Sequence, residues 1–327
     1  MSKSASPAPA SPDRRGRAAA WIIAIAAVYL IALCYVDRDR SILSRLSEMA
    51  VPLALCALAV LLSYLFRYQR WRSVLAAQGH PLEHWWPGLL AYLAGFAFTA
   101  SPGKAGELLR IRYFGWLDVP GRITLTTFIF ERAIDLLVIT LLAIGASSLI
   151  PAFGLLALII LALLLALLAL ACWPPLAAAT RTAANWVPTA WLRRLAHFLV
   201  DGGSSLRPLL RPRLLCSSTG WGAAAWLLTA FAFAWLCYAS GISLTWPLAL
   251  GIYPLAMLIG ALSFVPGGVG TTEAAIVLML AATGVATDMA LAIAIGIRLV
   301  SLWLAVLVGM LAMAVLESTR TSSVARD

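Results

Sequence analysis

The chain has 327 residues, of which 62% are hydrophobic and 12% charged, with a formal net charge of +10 and a mean hydropathy of +0.92. That composition excludes a soluble enzyme core and describes an all-α polytopic membrane protein. The basic excess follows the positive-inside rule, so no nucleic-acid partner is expected. Five cysteines in mostly apolar spans and three histidines offer neither a disulfide framework nor a metal-ligand spacing, and no cofactor is expected.

Residues 1–17, rich in Ser, Pro, Ala and Arg, predict a disordered cytoplasmic tail. The run 18–36 is too long for most signal-peptide cores and lacks a following small-residue cleavage site, so it predicts a first membrane helix. DRDRSILSRLSE forms a short loop, 49–66 the second span, and RYQRW at 67–71 returns the chain to a basic side. Residues 85–101 predict an apolar helix opened by an interfacial Trp pair. The next leg, 104–117, carries Lys104, Glu107, Arg110 and Arg112, too many charges to face lipid. The stretch 85–117 therefore predicts a re-entrant hairpin.

Spans at 123–149 and 152–172 follow. The basic segment 173–217 alternates Trp186, Trp191, Leu192, Leu195 and Phe198 with Arg193, Arg194 and His197, the pattern of a cytoplasmic amphipathic helix. A sixth apolar segment covers 218–239. Residues 246–264 lead into a second break, and 271–284 are too few to cross a bilayer at about 1.5 Å per residue, which predicts a second re-entrant hairpin. A last helix at 288–316 precedes a cytoplasmic tail at 317–327. The sequence thus predicts about six transmembrane helices and two hairpins in one membrane domain, 18–316. A cytoplasmic N-terminus leaves only Arg38, Arg40 and Arg45 of the 24 Lys and Arg outside, with Arg132 and Arg298 in the bilayer.

The two breaks resemble each other. SPGKAGE contains Pro102, Gly103, Gly106 and Glu107; SFVPGGVGTTE contains Pro266, Gly267, Gly268, Gly270 and Glu273. Proline removes a backbone donor and glycine permits tight turns, and open backbone at membrane depth is tolerated only inside protein or beside a wet cavity. Counting the same distance on from each Glu reaches Arg132 and Arg298. The repeat motifs, 101–132 and 263–298, fall on helices of opposite direction, so the repeat is expected to be inverted, as in many secondary transporters.

Both arginines lie roughly 13 to 15 Å into their helices, near the middle of a core about 30 Å thick, where a charge costs about 2.5 to 3.5 kcal/mol and needs a partner or a wet cavity. Asp135 shares a face with Arg132, Glu131 adjoins it, and Glu107 and Glu273 come from the hairpins. These charges either fasten hairpins to helices or form a cavity in which two guanidiniums grip an anionic group such as a phosphate. In the second reading, the helices after each break add amides and a positive dipole end.

The repeated Pro-Gly-x-x-Gly…Glu, FERAIDLL at 130–137 and PGGVGTTEAA at 266–275 resemble the lysylphosphatidylglycerol synthase transmembrane region, or flippase-like, family, over residues 20 to 316. The resemblance implies a bundle with re-entrant helices around a lipid-accessible cavity, and Glu107, Glu131, Arg132, Asp135, Glu273 and Arg298 as cavity residues. No soluble acyltransferase domain follows residue 316, so lysyl-lipid synthesis is not expected.

The expected function is a non-enzymatic translocase moving a phosphate-bearing lipid or polyprenyl-phosphate-linked sugar between leaflets of a bacterial cytoplasmic membrane. Alternatives are an intramembrane enzyme using Glu107 and Glu273 as acid and base, a small-anion transporter, and an accessory protein for a glycosyltransferase. Expected partners are membrane lipids, a lipid-modifying enzyme or glycosyltransferase, and a second copy of the chain.

Overall fold

The computed structural model describes residue 27, residues 41–186 and residues 188–324. The expected tail at 1–17 and nearly all of the expected span at 18–36 lie outside the described residues. Among these residues there are helices and no strands. The elements are α1 (Ser41–Glu48), α2 (Ala50–Ala77), α3 (Trp85–Ala94), α4 (Arg110–Gly115), α5 (Gly121–Ala143), α6 (Phe153–Cys172), α7 (Pro174–Asn185), α8 (Ala190–Leu206), α9 (Pro212–Ala239), α10 (Trp246–Leu262), α11 (Thr271–Ala282), α12 (Thr287–Arg298) and α13 (Leu304–Val324).

Among the described residues, four helices are long and apolar enough to cross a membrane: Ala50–Ala77, Phe153–Cys172, Pro212–Ala239 and Thr287–Arg320, the last joining α12 to α13 through a π turn at Leu299–Trp303. The protein is therefore an all-α multi-pass membrane protein. The expected span at 123–149 corresponds to α5 and a 3-10 turn at Ile144–Leu149. It stands apart from those four because it carries three charged residues close together, Glu131, Arg132 and Asp135.

Several expected boundaries shift. The loop before the second span contains α1, which packs on α12, with Arg45 paired to Asp288. Helix α2 does not stop at residue 66 but runs to Ala77, so RYQRW is helical. Segment 173–217 holds two packed helices, α7 and α8, rather than one, and α8 also packs on α6. The tail expected from 317 continues α13. In each case neighbouring helices supply contacts that a local hydropathy reading cannot weigh.

Between α3 and α4 the chain reverses. After a 3-10 turn at Gly95–Phe98 it turns at Thr99–Ser101 and returns as a 3-10 helix, Pro102–Leu109. The legs pair antiparallel: Gly106 faces Phe98, and Arg110 Nε donates to the Tyr92 carbonyl at 3.0 Å. Helices α10 and α11 form a second hairpin, with Gly260 facing Thr272. Helix α13 crosses the first hairpin at Gly309, where a methyl group would meet the Ala97 Cα at 2.8 Å. Small residues let helix backbones approach closely where water supplies no drive to association.

The two hairpins begin near opposite ends of α2. Near the ends of the first, Tyr68 donates to the Trp85 carbonyl and Tyr113 to Glu317. At the other end of the bundle Ser240 contacts Met49, and Gly145 lies against Pro247 at the start of the second hairpin. The tips meet in the middle, where Gly267 stands against Ala100 and Leu302.

Candidate functional site

The second break is the more tightly locked of the two. Gly267, Gly268 and Gly270 have φ of +63°, +64° and +82°, backbone that side chains with a Cβ adopt at a cost. Glu273, in the first turn of α11, accepts the Gly270 N–H at 2.8 Å. Its other oxygen accepts Arg298 Nε at 3.0 Å, and Arg298 Nη2 donates to the Gly267 carbonyl. The side chains thus close a loop that fastens the break to the end of α12. This α11 terminus, expected to offer amides to an anion, is occupied by its own Glu273.

The first break is fastened differently. Pro102 and Gly103 open the 3-10 return leg, the Gly106 N–H donates to Ser101 Oγ at 2.6 Å, and Thr99 Oγ1 donates to Glu107 at 2.9 Å. Arg132 lies 3.8 Å from Glu107, so both Glu–Arg pairs expected from the repeat are brought together. Arg132 is also 3.2 Å from Glu131 and 3.0 Å from Asp135.

Three further arginines join this cluster, and sequence reasoning assigned none of them to the site. Arg70 donates to Asp135 and Glu131, both at 2.9 Å. Arg110 reaches Glu131 at 3.1 Å and Glu107 at 3.3 Å, its guanidinium 3.9 Å from the Tyr92 ring centre and 5.0 Å from that of Trp71. Arg67 lies 3.6 Å from Asp135. Two hydroxyl and indole donors complete the set: Tyr92 Oη to Glu131 at 2.8 Å and Trp226 Nε1 to Asp135 at 3.1 Å.

RYQRW was read as a basic flank, and this reading is corrected: Arg67 and Arg70 are buried. A signal for it existed. Val60, Ser63, Arg67, Arg70 and Val74 are all buried on α2, and their alternating spacing of three and four places them on one helix face. Room for the guanidiniums comes from missing side chains. A methyl group on Gly222 would meet Arg70 Nη1 at 2.6 Å, and one on Gly95 would meet Arg110 Cγ at 2.6 Å.

Exposure separates the arginines. The side chains of Arg70, Arg110 and Arg298 are each 1% exposed, against 11% for Arg67 and 22% for Arg132. The open pair faces a chamber of about 80 Å³ with apolar walls such as Phe96 and Leu302 and polar groups from Tyr64, Thr99, Glu107, Arg298 and Ser301. The Tyr64 hydroxyl and Ser301 Oγ are buried there without a hydrogen-bond partner among the described residues. A second chamber of about 260 Å³, walled largely by Leu136, Ile139, Met257, Ala261 and Val265, adjoins it. Arg132, Trp226, Met257 and Gly267 border both.

Charge does not balance within the cluster. Arg67, Arg70, Arg110 and Arg132 face Glu107, Glu131 and Asp135, which leaves one surplus positive charge among these side chains. A buried charge without its counter-charge is costly, so this interior is suited to an anion.

A bundle of apolar helices that holds a charged cluster and two broken hairpins beside its hydrophobic core defines a multi-pass membrane protein. The chain belongs to the family described as the lysylphosphatidylglycerol synthase TM region, whose family model matches residues 19–309. No curated protein matches it.

Proposed function

We propose that this protein is a non-enzymatic lipid translocase. Its substrate is an anionic, phosphate-bearing lipid, either a phospholipid or a polyprenyl-phosphate-linked sugar. The observation that carries this reading is the pairing of two chambers at Arg132: a smaller one edged by the surplus positive charge and by two hydroxyls without a partner among the described residues, and a larger, more apolar one beside it. A small anion needs only the first, whereas a lipid uses both. The family description, which names a lipid, favours the same class.

In this reading the two hairpins are re-entrant halves of an inverted repeat, and their opposed tips give the site alternate access to each leaflet. Arg132 contributes to holding the phosphate, while Glu107, Glu131 and Asp135 keep its guanidinium in place between arrivals. Glu273 and Arg298 hold the second hairpin in shape at the chamber wall. The protein sits in a bacterial cytoplasmic membrane with both termini inside. Its partners are membrane lipids, an enzyme that makes or uses the transported lipid, and a second copy of the chain.

The test is translocation in vesicles. Protein is reconstituted with fluorescently labelled phosphatidylglycerol or a labelled polyprenyl phosphate, and an impermeant quencher is added outside. Wild type is expected to expose label from the inner leaflet for at least one of these lipids, and Arg132→Ala to reduce that exposure at least tenfold at equal reconstitution. Inner-leaflet label that stays protected for both, alongside uptake of inorganic phosphate into the same vesicles, would replace the lipid by a small anion.

A further inference from the structure

Arg67 is the least engaged cation of the cluster, although it came from a stretch with no expected role. Arg70 and Arg110 each donate hydrogen bonds to carboxylates, and Arg132 lies within ion-pair distance of three. The carboxylate nearest Arg67 is Asp135, 3.6 Å away, which is beyond a hydrogen bond. Asp135 accepts from Arg70 and from the Trp226 indole on one oxygen, while its other oxygen lies 3.0 Å from Arg132 and accepts no hydrogen bond among the described residues. The surplus positive charge of the cluster therefore lies on the two chamber-facing arginines, of which Arg67 has a single carboxylate within ion-pair distance.

What holds Arg67 in place is an aromatic face. Its guanidinium carbon lies 4.5 Å from the centre of the Trp226 ring, an arrangement that orients a cation without neutralising it or using its N–H groups. Trp226 is fixed in turn by its own bond to Asp135. With the ring behind it, the Arg67 fork is left for the smaller chamber that Arg67, Trp226 and Arg132 all border.

We infer that Arg67, presented by Trp226, is the primary anchor for the substrate's phosphate, and that Trp226 is a positioning residue that sets anion affinity through Arg67. This rests on the reading of the chamber as an anion site. In the bound state Arg67 donates two N–H groups to phosphate oxygens and Arg132 supplies a second arm. The ligand chemistry is a phosphate with one or more free oxygens, on a lipid or as a free ion.

The experiment is a lipid titration of the full chain in neutral detergent, followed by native mass spectrometry. Phosphatidylglycerol is the probe, diacylglycerol the phosphate-free control, and inorganic phosphate the competitor. Wild type is expected to prefer phosphatidylglycerol. Arg67→Gln lowers that affinity at least tenfold, whereas Arg181→Gln, which removes an equal charge from an exposed surface pair, leaves it unchanged.

Trp226→Phe keeps a ring face but loses the indole bond, and stays within threefold of wild type. Trp226→Leu removes the face and weakens binding roughly threefold to tenfold at unchanged charge. Equal losses for Phe and Leu would assign Trp226 to packing alone and overturn its role here.

If wild type prefers phosphatidylglycerol but Arg67→Gln binds within twofold of it, Arg67 is not the anchor. If Arg67→Gln does not fold, Arg67→Lys decides in its place: retained charge without the fork is expected to lower affinity at least fivefold, and wild-type affinity overturns the assignment. A wild type that binds both lipids alike removes the anion site itself. Competition by inorganic phosphate far below lipid concentrations identifies a free ion as the ligand.

Discussion

Gly267 at the tip of the second hairpin lies against Ala100 at the tip of the first, so close that a methyl group on Gly267 would stand 3.1 Å from the Ala100 Cα. Two breaks far apart in sequence thus become one junction, with Leu302 of the last helix packed on it and the smaller chamber beside it.

Substituting Gly267 therefore does two things at once. Gly267→Ala meets both an unfavourable φ of +63° and the opposing tip, while Gly284→Ala at φ +88° has nothing within 4 Å of the added methyl. A left-handed alanine costs about 1 to 2 kcal/mol in either place. Thermal unfolding in detergent should show a clearly larger fall in melting temperature for Gly267→Ala, and equal falls would mean that the tips do not press on each other.

The loop closed by Arg298 and Glu273 should behave as a coupled unit. Either Arg298→Met or Glu273→Leu alone leaves a buried charge unpaired, at a cost of about 3 to 5 kcal/mol. The double variant should cost less than the two together, with a coupling of about 0.5 to 3 kcal/mol. Additive losses in a double-mutant cycle of unfolding would show that the pair is not the fastening.

Arg110 tests shape against charge. Its Nε bonds the Tyr92 carbonyl and its plane lies among Trp71, Tyr92 and Phe96, none of which a lysine ammonium reproduces. Arg110→Lys is expected to destabilise by about 2 kcal/mol or more, since two hydrogen bonds to or from charged groups are disturbed. Arg112→Lys, whose side chain is 31% exposed, should leave stability within about 0.5 kcal/mol. Similar melting temperatures for the two would remove the aromatic setting from the account of the first hairpin.

Re-entrance has a direct readout. In a background free of the five native cysteines, cysteines at His84 and Asp118 should both react with an impermeant thiol reagent from the cytoplasmic side. Those at Thr245 and Gly284 should both react from the outside. If the two members of either pair label from opposite sides, that hairpin spans the membrane.

The two breaks and their acidic partners were legible because proline and glycine act through local backbone rules. A carboxylate set a fixed distance before a membrane arginine in both copies is a pattern in one dimension. The burial of Arg67 and Arg70 was not, since arginines after an apolar run ordinarily meet water at the membrane face. Here α2 continues, and α5 and α9 pack against it with Asp135, Glu131 and the missing side chain of Gly222 turned toward the guanidiniums.

The sequence by itself determined an all-helical membrane chain with two glycine-proline breaks and a Glu–Arg pair attached to each, since hydropathy, helix length and backbone freedom are properties of consecutive residues. The tertiary structure alone decided which arginine is locked and which is open. Arg298 ties α12 to the second hairpin through Glu273 and the Gly267 carbonyl and is 1% exposed, whereas Arg67 and Arg132, 11% and 22% exposed, open onto the chamber that all three border. The physical reason is that a buried charge is governed by the positions of all its neighbours at once, and those neighbours come from parts of the chain that only folding brings together.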